Sequence, residues 1–254
     1  MRRVLVVGLT LALGALSGCS FGPPAAAPEK GACRDLTQQD LNLPSNDSPV
    51  IDCAKQHTAE TFLVGTFPAS LADYPINDPA LGGFVHDECQ SGFQSYTGAS
   101  DSLALRTLLT WVWFRPTQSD WDQGARWFRC DVVGGGAETS SLVNLPLTVR
   151  GVLSGTPDDA WMACAQGASI EGSVKVPCSS DHNWRAVSTV VLGSTDTPYP
   201  GTTEVIQTTS QFCHDSVSAW LGYPPEFNYG YTWFDQSKWD AGNRRSVCWA
   251  MTNL

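Results

Sequence analysis

Two histidines, each four residues after a cysteine, are the side chains of this sequence best suited to chemistry. His57 has Glu60 three residues later, whereas His182 has Arg185 at the matching position. An imidazole beside a carboxylate can transfer protons or hold a metal ion. The alternative is that each imidazole hydrogen-bonds its own tight turn, and Arg185 in place of the acid favours it. We therefore expect a turn role for both histidines, with no catalytic residue, no metal site and no cofactor.

Nine cysteines are present, and the eight that follow the first one fall into two groups of four. They are Cys33, Cys53, Cys89, Cys130, Cys164, Cys178, Cys213 and Cys248. An even number in an exported chain indicates disulfides, and no Cys-x2-Cys is present for a zinc site. Each group permits three connectivities. We expect the first cysteine to pair with the second and the third with the fourth, each bridge contributing about 3 kcal/mol.

The ninth cysteine, Cys19, follows a short positive segment and an apolar run, Val4 to Leu16. That run is too short to cross about 30 Å of hydrocarbon but suits a secretory signal. Small residues directly before Cys19 resemble a bacterial lipobox. We predict a signal peptide at 1–18, lipid on Cys19, a tether rich in Pro and Ala at 19–30, and a location at the cell membrane on its extracytoplasmic face.

The charge of the chain argues against nucleic acid as a partner. Without Arg2 and Arg3, 13 of the 15 basic residues remain against 25 acidic ones, a balance of −12. Binding to nucleic acid depends on neutralising phosphates, for which such a chain has no basic surface. Anionic lipid headgroups would also repel it, so the predicted contact with the membrane is through the acyl chains.

The sequence repeats its landmarks in the same order. Both halves contain the Cys-x3-His turn, a helical cysteine, and a Trp-Asp-x-Gly segment at 121–124 and 239–242 that leads to the last cysteine. We predict an α+β fold of two tandem, small, disulfide-stapled domains, each a small antiparallel sheet with one main helix, at 31–153 and 160–254. The expected strands are 48–52, 59–67 and 108–115, then 173–177, 184–192 and 229–234, with a last strand at each final cysteine. The expected main helices are 80–97 and 203–221.

These landmarks resemble the septum-formation domain of actinobacterial exported proteins and lipoproteins. The first half matches through its four cysteines, His57, Glu60, and a Pro-Thr-x3-Trp-x2-Gly segment at 116–124. The second half departs from the pattern at Arg185 and at Phe234, which replaces the proline. The resemblance implies a part in cell division or envelope biogenesis and carries no demonstrated chemistry.

Ten tryptophans complete the set of candidate residues. Large aromatic side chains serve small cores, but exposed ones also bind protein or glycan partners. We favour the core role for any single tryptophan and name Trp127 and Trp249, which flank the last cysteines, as the candidates for an outward position. Together with His57, Glu60 and His182 they are the candidate binding residues. The sequence thus predicts a non-enzymatic binding or scaffold lipoprotein whose partner is a protein or glycan of the division or wall machinery. The alternatives are a metal-dependent or acid–base hydrolase using His57 and Glu60, and a glycan-binding lipoprotein.

Overall fold

The computed structural model describes residues 25–194, 196–240 and 242–252. The predicted signal peptide and Cys19 lie outside the described residues. Within the described ranges, no helix is both long and apolar enough to cross a membrane.

The first unit is a four-stranded antiparallel sheet with one long helix packed against it. In chain order its elements are β1 (Cys33–Arg34), a 3-10 turn (Asp40–Asn42), β2 (Ala59–Thr66), α1 (Ala69–Ala72), α2 (Pro79–Thr97), α3 (Asp101–Ala104), β3 (Leu109–Phe114), α4 (Gln118–Asp122) and β4 (Trp127–Gly134). The strand order is β1-β2-β4-β3, so β4 lies between β2 and β3.

The second unit is a five-stranded antiparallel sheet with its own long helix. Its elements are β5 (Ala163–Gln166), β6 (Val174–Pro177), β7 (Trp184–Val191), α5 (Thr202–Trp220), β8 (Tyr229–Thr232), α6 (Gln236–Asp240) and β9 (Arg245–Met251). The strand order is β6-β5-β7-β9-β8. The run β7-α5-β8-α6-β9 therefore repeats the run β2-α2-β3-α4-β4 of the first unit.

The two sheets also share a local irregularity, since the register shifts between Thr61 and Leu63 on β2 and between Ala186 and Ser188 on β7. The predicted fold class is confirmed. The strand expected at 48–52 is wrong: Ile51 makes only an isolated bridge to Cys33. Pro49 has no N–H to donate, and the chain turns directly after Ile51, where Lys55 N–H bonds the Asp52 carbonyl at 2.9 Å.

The main helices begin and end where local chemistry places them. The Asp78 carboxylate accepts from the Ala80 N–H and Pro79 opens α2, while Gly98 ends it at φ 81°. A left-handed residue at that position favours glycine. The buried side of α2 carries Leu81, Val85, Cys89, Phe93 and Tyr96. This spacing of three and four residues places one apolar stripe against the sheet.

Four disulfides staple the two units, with the pairing expected from the sequence. The bonds are Cys33–Cys53, Cys89–Cys130, Cys164–Cys178 and Cys213–Cys248. Cys89–Cys130 joins α2 to the central strand β4, and Cys213–Cys248 joins α5 to β9 in the same way. Each main helix is thus covalently fixed to its own sheet.

The two units pack against one another along a seam. Thr107 bridges to Met162, the Arg106 guanidinium donates to the Val187 carbonyl at 3.1 Å, and Arg245 pairs with Asp101 at 3.3 Å. The segment 142–153 returns to the first unit instead, where Leu145, Val149 and Leu153 join its core. The face of the second sheet opposite α5 therefore meets the first unit.

Candidate functional site

The two matched histidines have the same geometry. His57 is buried and donates from Nδ1 to the Lys55 carbonyl at 2.8 Å, and His182 donates from Nδ1 to the Ser180 carbonyl at 2.7 Å. The Nε2 atom of each ring is buried and has no hydrogen-bond partner. Each imidazole bonds the carbonyl two residues before it. The turn role therefore accounts for the Nδ1 atom of both histidines and leaves each Nε2 atom without a partner.

Glu60 serves a different part of the structure from His57, and no hydrogen bond or ion pair joins these two described residues. Its carboxylate is buried and accepts from the Tyr96 hydroxyl at 2.5 Å, the Thr148 hydroxyl at 2.8 Å and the Val149 N–H at 2.7 Å. Burial, together with the bond to Glu60, raises the pKa of the Tyr96 hydroxyl. Glu60 thus ties β2 to α2 and to the returning segment 142–153.

Arg185 occupies the position of Glu60 in the second unit, and its role is peripheral. Its guanidinium pairs with the Asp159 carboxylate at 2.5 Å, where both side chains are partly exposed. The hydrogen bond from Arg185 lowers the pKa of Asp159. The acid and its replacement therefore make unrelated contacts, one inside the core and one at the surface.

The repeated Trp-Asp-x-Gly-x-Arg segment is a structural motif in both units. Trp121 and Trp239 are buried, and the guanidinium groups of Arg126 and Arg244 each lie 4.0 Å from the centre of the respective indole. Each arginine also donates to its own tryptophan carbonyl, at 2.7 and 2.5 Å. These side chains hold the short helix to the last strand, which explains why the motif occurs twice.

The two tryptophans that we named as candidates for an outward position behave differently. Trp249 is 0% exposed, so that assignment is wrong for it. Residues alternate along β9, and this position points to the face opposite α5, where Trp249 packs in a cluster with Trp184 and Ala165. Trp127 is half-buried, and its indole N–H donates to the Ala25 carbonyl at 3.3 Å. Trp127 thus contacts the start of the described chain.

A buried charge cluster in the first sheet was missed by sequence reasoning. Arg129 donates to Asp131 at 3.1 Å, Thr61 donates to the same carboxylate at 2.7 Å, and Arg34 donates to Thr61 at 2.8 Å. Burial and the neighbouring Arg129 lower the pKa of Arg34. Arg129 and Asp131 flank Cys130 on β4, so charges at alternate positions of an apolar strand were the available signal.

A solvent-open groove lies on the face of the second sheet opposite α5. It encloses about 820 Å³. Its walls come from β6, β8, β9, the hairpin between β5 and β6, and the segment after β4. The lining residues are Ala137, Glu138, Thr139, Ser140, Ser169, Ile170, Glu171, Gly172, Ser173, Val174, Lys175, Gly230, Tyr231, Thr232, Trp233 and Trp249. We call this depression the aromatic groove.

Local packing keeps the aromatic groove in shape. A Cβ on Gly230 would lie 2.7 Å from the Ile170 side chain, so glycine lets the β5–β6 hairpin approach the sheet. The Trp249 indole N–H donates to the Thr232 hydroxyl at 3.3 Å beneath the groove, and Lys175 pairs with Glu138 across its wall. Trp233 remains 44% exposed. Hydroxyls, charges and one open indole ring are suited to reversible binding of a polar ligand.

Among the residues that the structure describes, no group of three or more His, Cys, Asp or Glu side chains is arranged to hold a metal ion. Sequence reasoning identified neither Tyr231 as a lining residue nor the aromatic groove as a binding surface. The walls of the groove come from segments that are far apart in the chain. Trp233 is one residue past β8 and one before buried Phe234. That position gave no signal of exposure.

Comparison with protein families gives one result. The family model described as septum formation matches residues 108–248, more than half of the chain. The match begins next to β3 and ends in β9, so it crosses the predicted boundary between the two copies, and their division into two family domains stays a prediction. Neither the curated proteins nor the solved structures contain a significant match. The chain belongs to the septum-formation family.

Proposed function

We propose that this chain is a cell-envelope lipoprotein that acts as a non-enzymatic binding module in septum formation or cell-wall biogenesis. The observation that carries the proposal is the aromatic groove, in which half-exposed Trp233 stands among hydroxyl and charged side chains. Large aromatic residues left open at a polar concave surface are typical of recognition sites. Membership of the septum-formation family indicates the cellular process, and the aromatic groove provides the surface for binding.

Ala25, at the start of the described chain, and the groove lie towards opposite ends of β4. Trp127 at the start of this strand contacts Ala25, and the six Cα-to-Cα steps from Cys19 to Ala25 can span at most about 20 Å. The groove residues Ala137 to Ser140 follow the other end of the strand. Eight residues at about 3.3 Å each separate those ends by about 25 Å.

The contacts of His57 and Glu60, the pair that the sequence suggested for catalysis, support the non-enzymatic part of the proposal. His57 bonds its own turn, and both carboxylate oxygens of Glu60 accept hydrogen bonds from the protein. A general base must reach a substrate proton within about 3 Å. A carboxylate that is buried and fully bonded is not placed for that task, so the hydrolase alternative receives no support from this pair.

The test is crosslinking in living cells, followed by recovery of the full-length, membrane-associated protein. Trp233→Ala removes the open indole of the groove. Trp220→Ala is the matched control, because that indole is 49% exposed at the end of α5 and lies outside the groove. We expect partners of the division or wall machinery with the parent and with Trp220→Ala, and their loss with Trp233→Ala. Equal recovery by all three proteins would refute binding through the groove.

The anchor is tested separately by changing Cys19→Ala. We expect the parent to sediment with membranes and to incorporate labelled fatty acid, and the variant to do neither. Incorporation that persists without Cys19 would contradict the lipoprotein assignment, while leaving the binding experiment unaffected.

A further inference from the structure

The aromatic groove continues into two further depressions along the seam between the units. The next one encloses about 480 Å³ and shares Ala137, Glu138, Thr139 and Lys175 with it. A third encloses about 590 Å³ and shares Leu105, Thr110, Trp111 and Lys238 with the second. The shared wall residues place the three depressions side by side along the seam, and we call the set the seam channel.

The far end of the seam channel is cationic, although the whole chain carries a net charge of −10. Lys238, Arg244 and Arg245 line it together with the carboxylate of Asp101, and the exposed Asp235 carboxylate, outside the lining, also interacts with Lys238. Asp101 is already shared, because it accepts from Gln94 at 2.7 Å and pairs with Arg245 at 3.3 Å. Within the described ranges, Lys238 forms no salt bridge, and its side chain is exposed. A local excess of positive charge in a cleft attracts anions.

The walls at this end also carry amide groups on a fixed frame. Gln90 accepts the Trp111 indole N–H at 3.0 Å through its oxygen, which turns its NH2 group away from that bond. The Trp111 ring meets His86 edge-on, with ring centres 5.5 Å apart. A Cβ on Gly242 would lie 3.0 Å from the His86 ring, so this glycine allows the loop to close on α2. Both units therefore build the cationic end.

We propose that the seam channel binds an extended anionic glycan, with a sugar ring on Trp233 at the aromatic end and carboxylate or phosphate groups near Lys238 and Arg245 at the cationic end. This inference rests on the proposed function and names its ligand class. An open indole and numerous hydroxyl and amide groups match the faces and hydroxyls of sugar rings. The charge at the far end selects an acidic chain over a neutral one.

The shape of the channel favours a glycan over an acidic peptide. A peptide that adds to a sheet needs its alternate side chains to enter pockets. Ser, Thr, Gln, Asn and Gly are frequent at the two ends of the channel, whereas the middle depression is lined by apolar side chains such as Leu105, Leu109 and Val112. The apolar side chain of Ile170 packs against the sheet and leaves no open pocket there. The net negative charge of the chain disfavours an anionic membrane surface as occupant.

The experiment is isothermal titration of the full chain in non-ionic detergent with four probes. These are a galacturonic acid hexamer as anionic glycan, an N-acetylglucosamine hexamer as neutral glycan, a hexaglutamate peptide, and inorganic phosphate. We expect the galacturonic acid hexamer to bind best, at one per chain, with affinity that falls as salt is raised. Trp233→Ala and Lys238→Gln should each weaken it about fivefold. Lys55→Gln, an exposed lysine outside the channel, is the control for charge and should leave binding unchanged.

Each contrary outcome has a distinct meaning. Equal or tighter binding of the neutral hexamer overturns the anionic assignment, and equal or tighter binding of hexaglutamate overturns the glycan assignment. Binding of phosphate alone, or an affinity that Lys238→Gln and Lys55→Gln reduce equally, overturns the channel as the site. If no probe binds while Trp233→Ala still abolishes crosslinking in cells, this inference fails and the proposed function stands.

Discussion

Replacing Glu60 tests whether its carboxylate stabilises the fold or takes part in a reaction. In Glu60→Ala the Val149 N–H loses its acceptor in a buried site, at a cost of about 1–3 kcal/mol, and the Tyr96 and Thr148 hydroxyls lose about 1 kcal/mol each. The expected loss of unfolding free energy is about 3–5 kcal/mol. In Glu60→Gln the amide oxygen can still accept from Val149, so only the charge-assisted part is lost, about 1–2 kcal/mol.

The second unit provides the matched control for this change. Arg185→Ala alters the same position of the repeat but removes only a partly exposed ion pair with Asp159, which contributes about 0–1 kcal/mol. Urea unfolding of the oxidised protein at pH 7, followed by tryptophan fluorescence, measures all three variants. With a slope of about 1–3 kcal/mol per molar urea, Glu60→Ala should lower the midpoint by more than about 1 M. A midpoint no lower than that of Arg185→Ala would refute the structural role.

Three further predictions concern stability. Trp249→Ala should cost about 3–5 kcal/mol in urea unfolding because it empties a buried site, whereas Trp233→Ala should cost less than about 1 kcal/mol; similar losses would contradict the burial difference. Gly98→Ala should lower the melting temperature, because Gly98 has φ 81° and a Cβ there would lie 2.1 Å from the Ser154 hydroxyl. Gly82→Ala should raise it, because a Cβ at this position of α2 would clash with no other atom. Changes of the same sign in the two variants would contradict this reasoning. The raised pKa of Tyr96 implies stability that is present below its unfolded pKa of about 10 and is lost as pH rises through the folded value. Tyr96→Phe should flatten that loss between about pH 9 and pH 11, and an unchanged slope would contradict it.

The regular elements were predictable because the repeat displays each one twice. Helices expected at 80–97 and 203–221 are observed at Pro79–Thr97 and Thr202–Trp220, since an apolar stripe of helical period and a terminal glycine mark both. The disulfide pairing was also expected, in agreement with the order of landmarks in each half. The exposed or buried state of Trp249 was not predictable, because alternation along a strand identifies two faces without saying what covers each of them.

The seam channel was beyond sequence reasoning for a related reason. Its walls combine α2 and β3 of the first unit with Lys175, Trp233 and Arg245 of the second, so residues that are far apart in sequence meet only after the units pack. The charge balance of −12 pointed away from any cationic surface. The net charge is a sum over the whole chain, whereas the binding of an anion depends on where the few cationic side chains lie.

Differences between the two units explain why the aromatic groove lies on the second sheet and not on the first. On the sheet face opposite the main helix, the first unit buries Arg129 and Asp131 beneath its own segment 35–46, and that face is closed. The second sheet carries Val247 and Trp249 at the equivalent positions of β9, and Leu105 of the first unit packs on this face. The cover is incomplete, because the segment after β4 bridges to the sheet at its edge only, between Thr139 and Lys175.

The seam channel is formed only when both units are present. The second unit supplies the aromatic floor and most of the cations, and the first supplies α2, Asp101 and the bridging segment. Separating the units would expose the apolar cluster around Trp249, because Leu105 of the first unit packs against it. The sheet face that lines the aromatic groove is therefore also part of the contact between the units. The family match from 108 to 248 includes parts of both units. The binding module that we propose is the pair of units and not a single one, because the seam channel takes its walls from both.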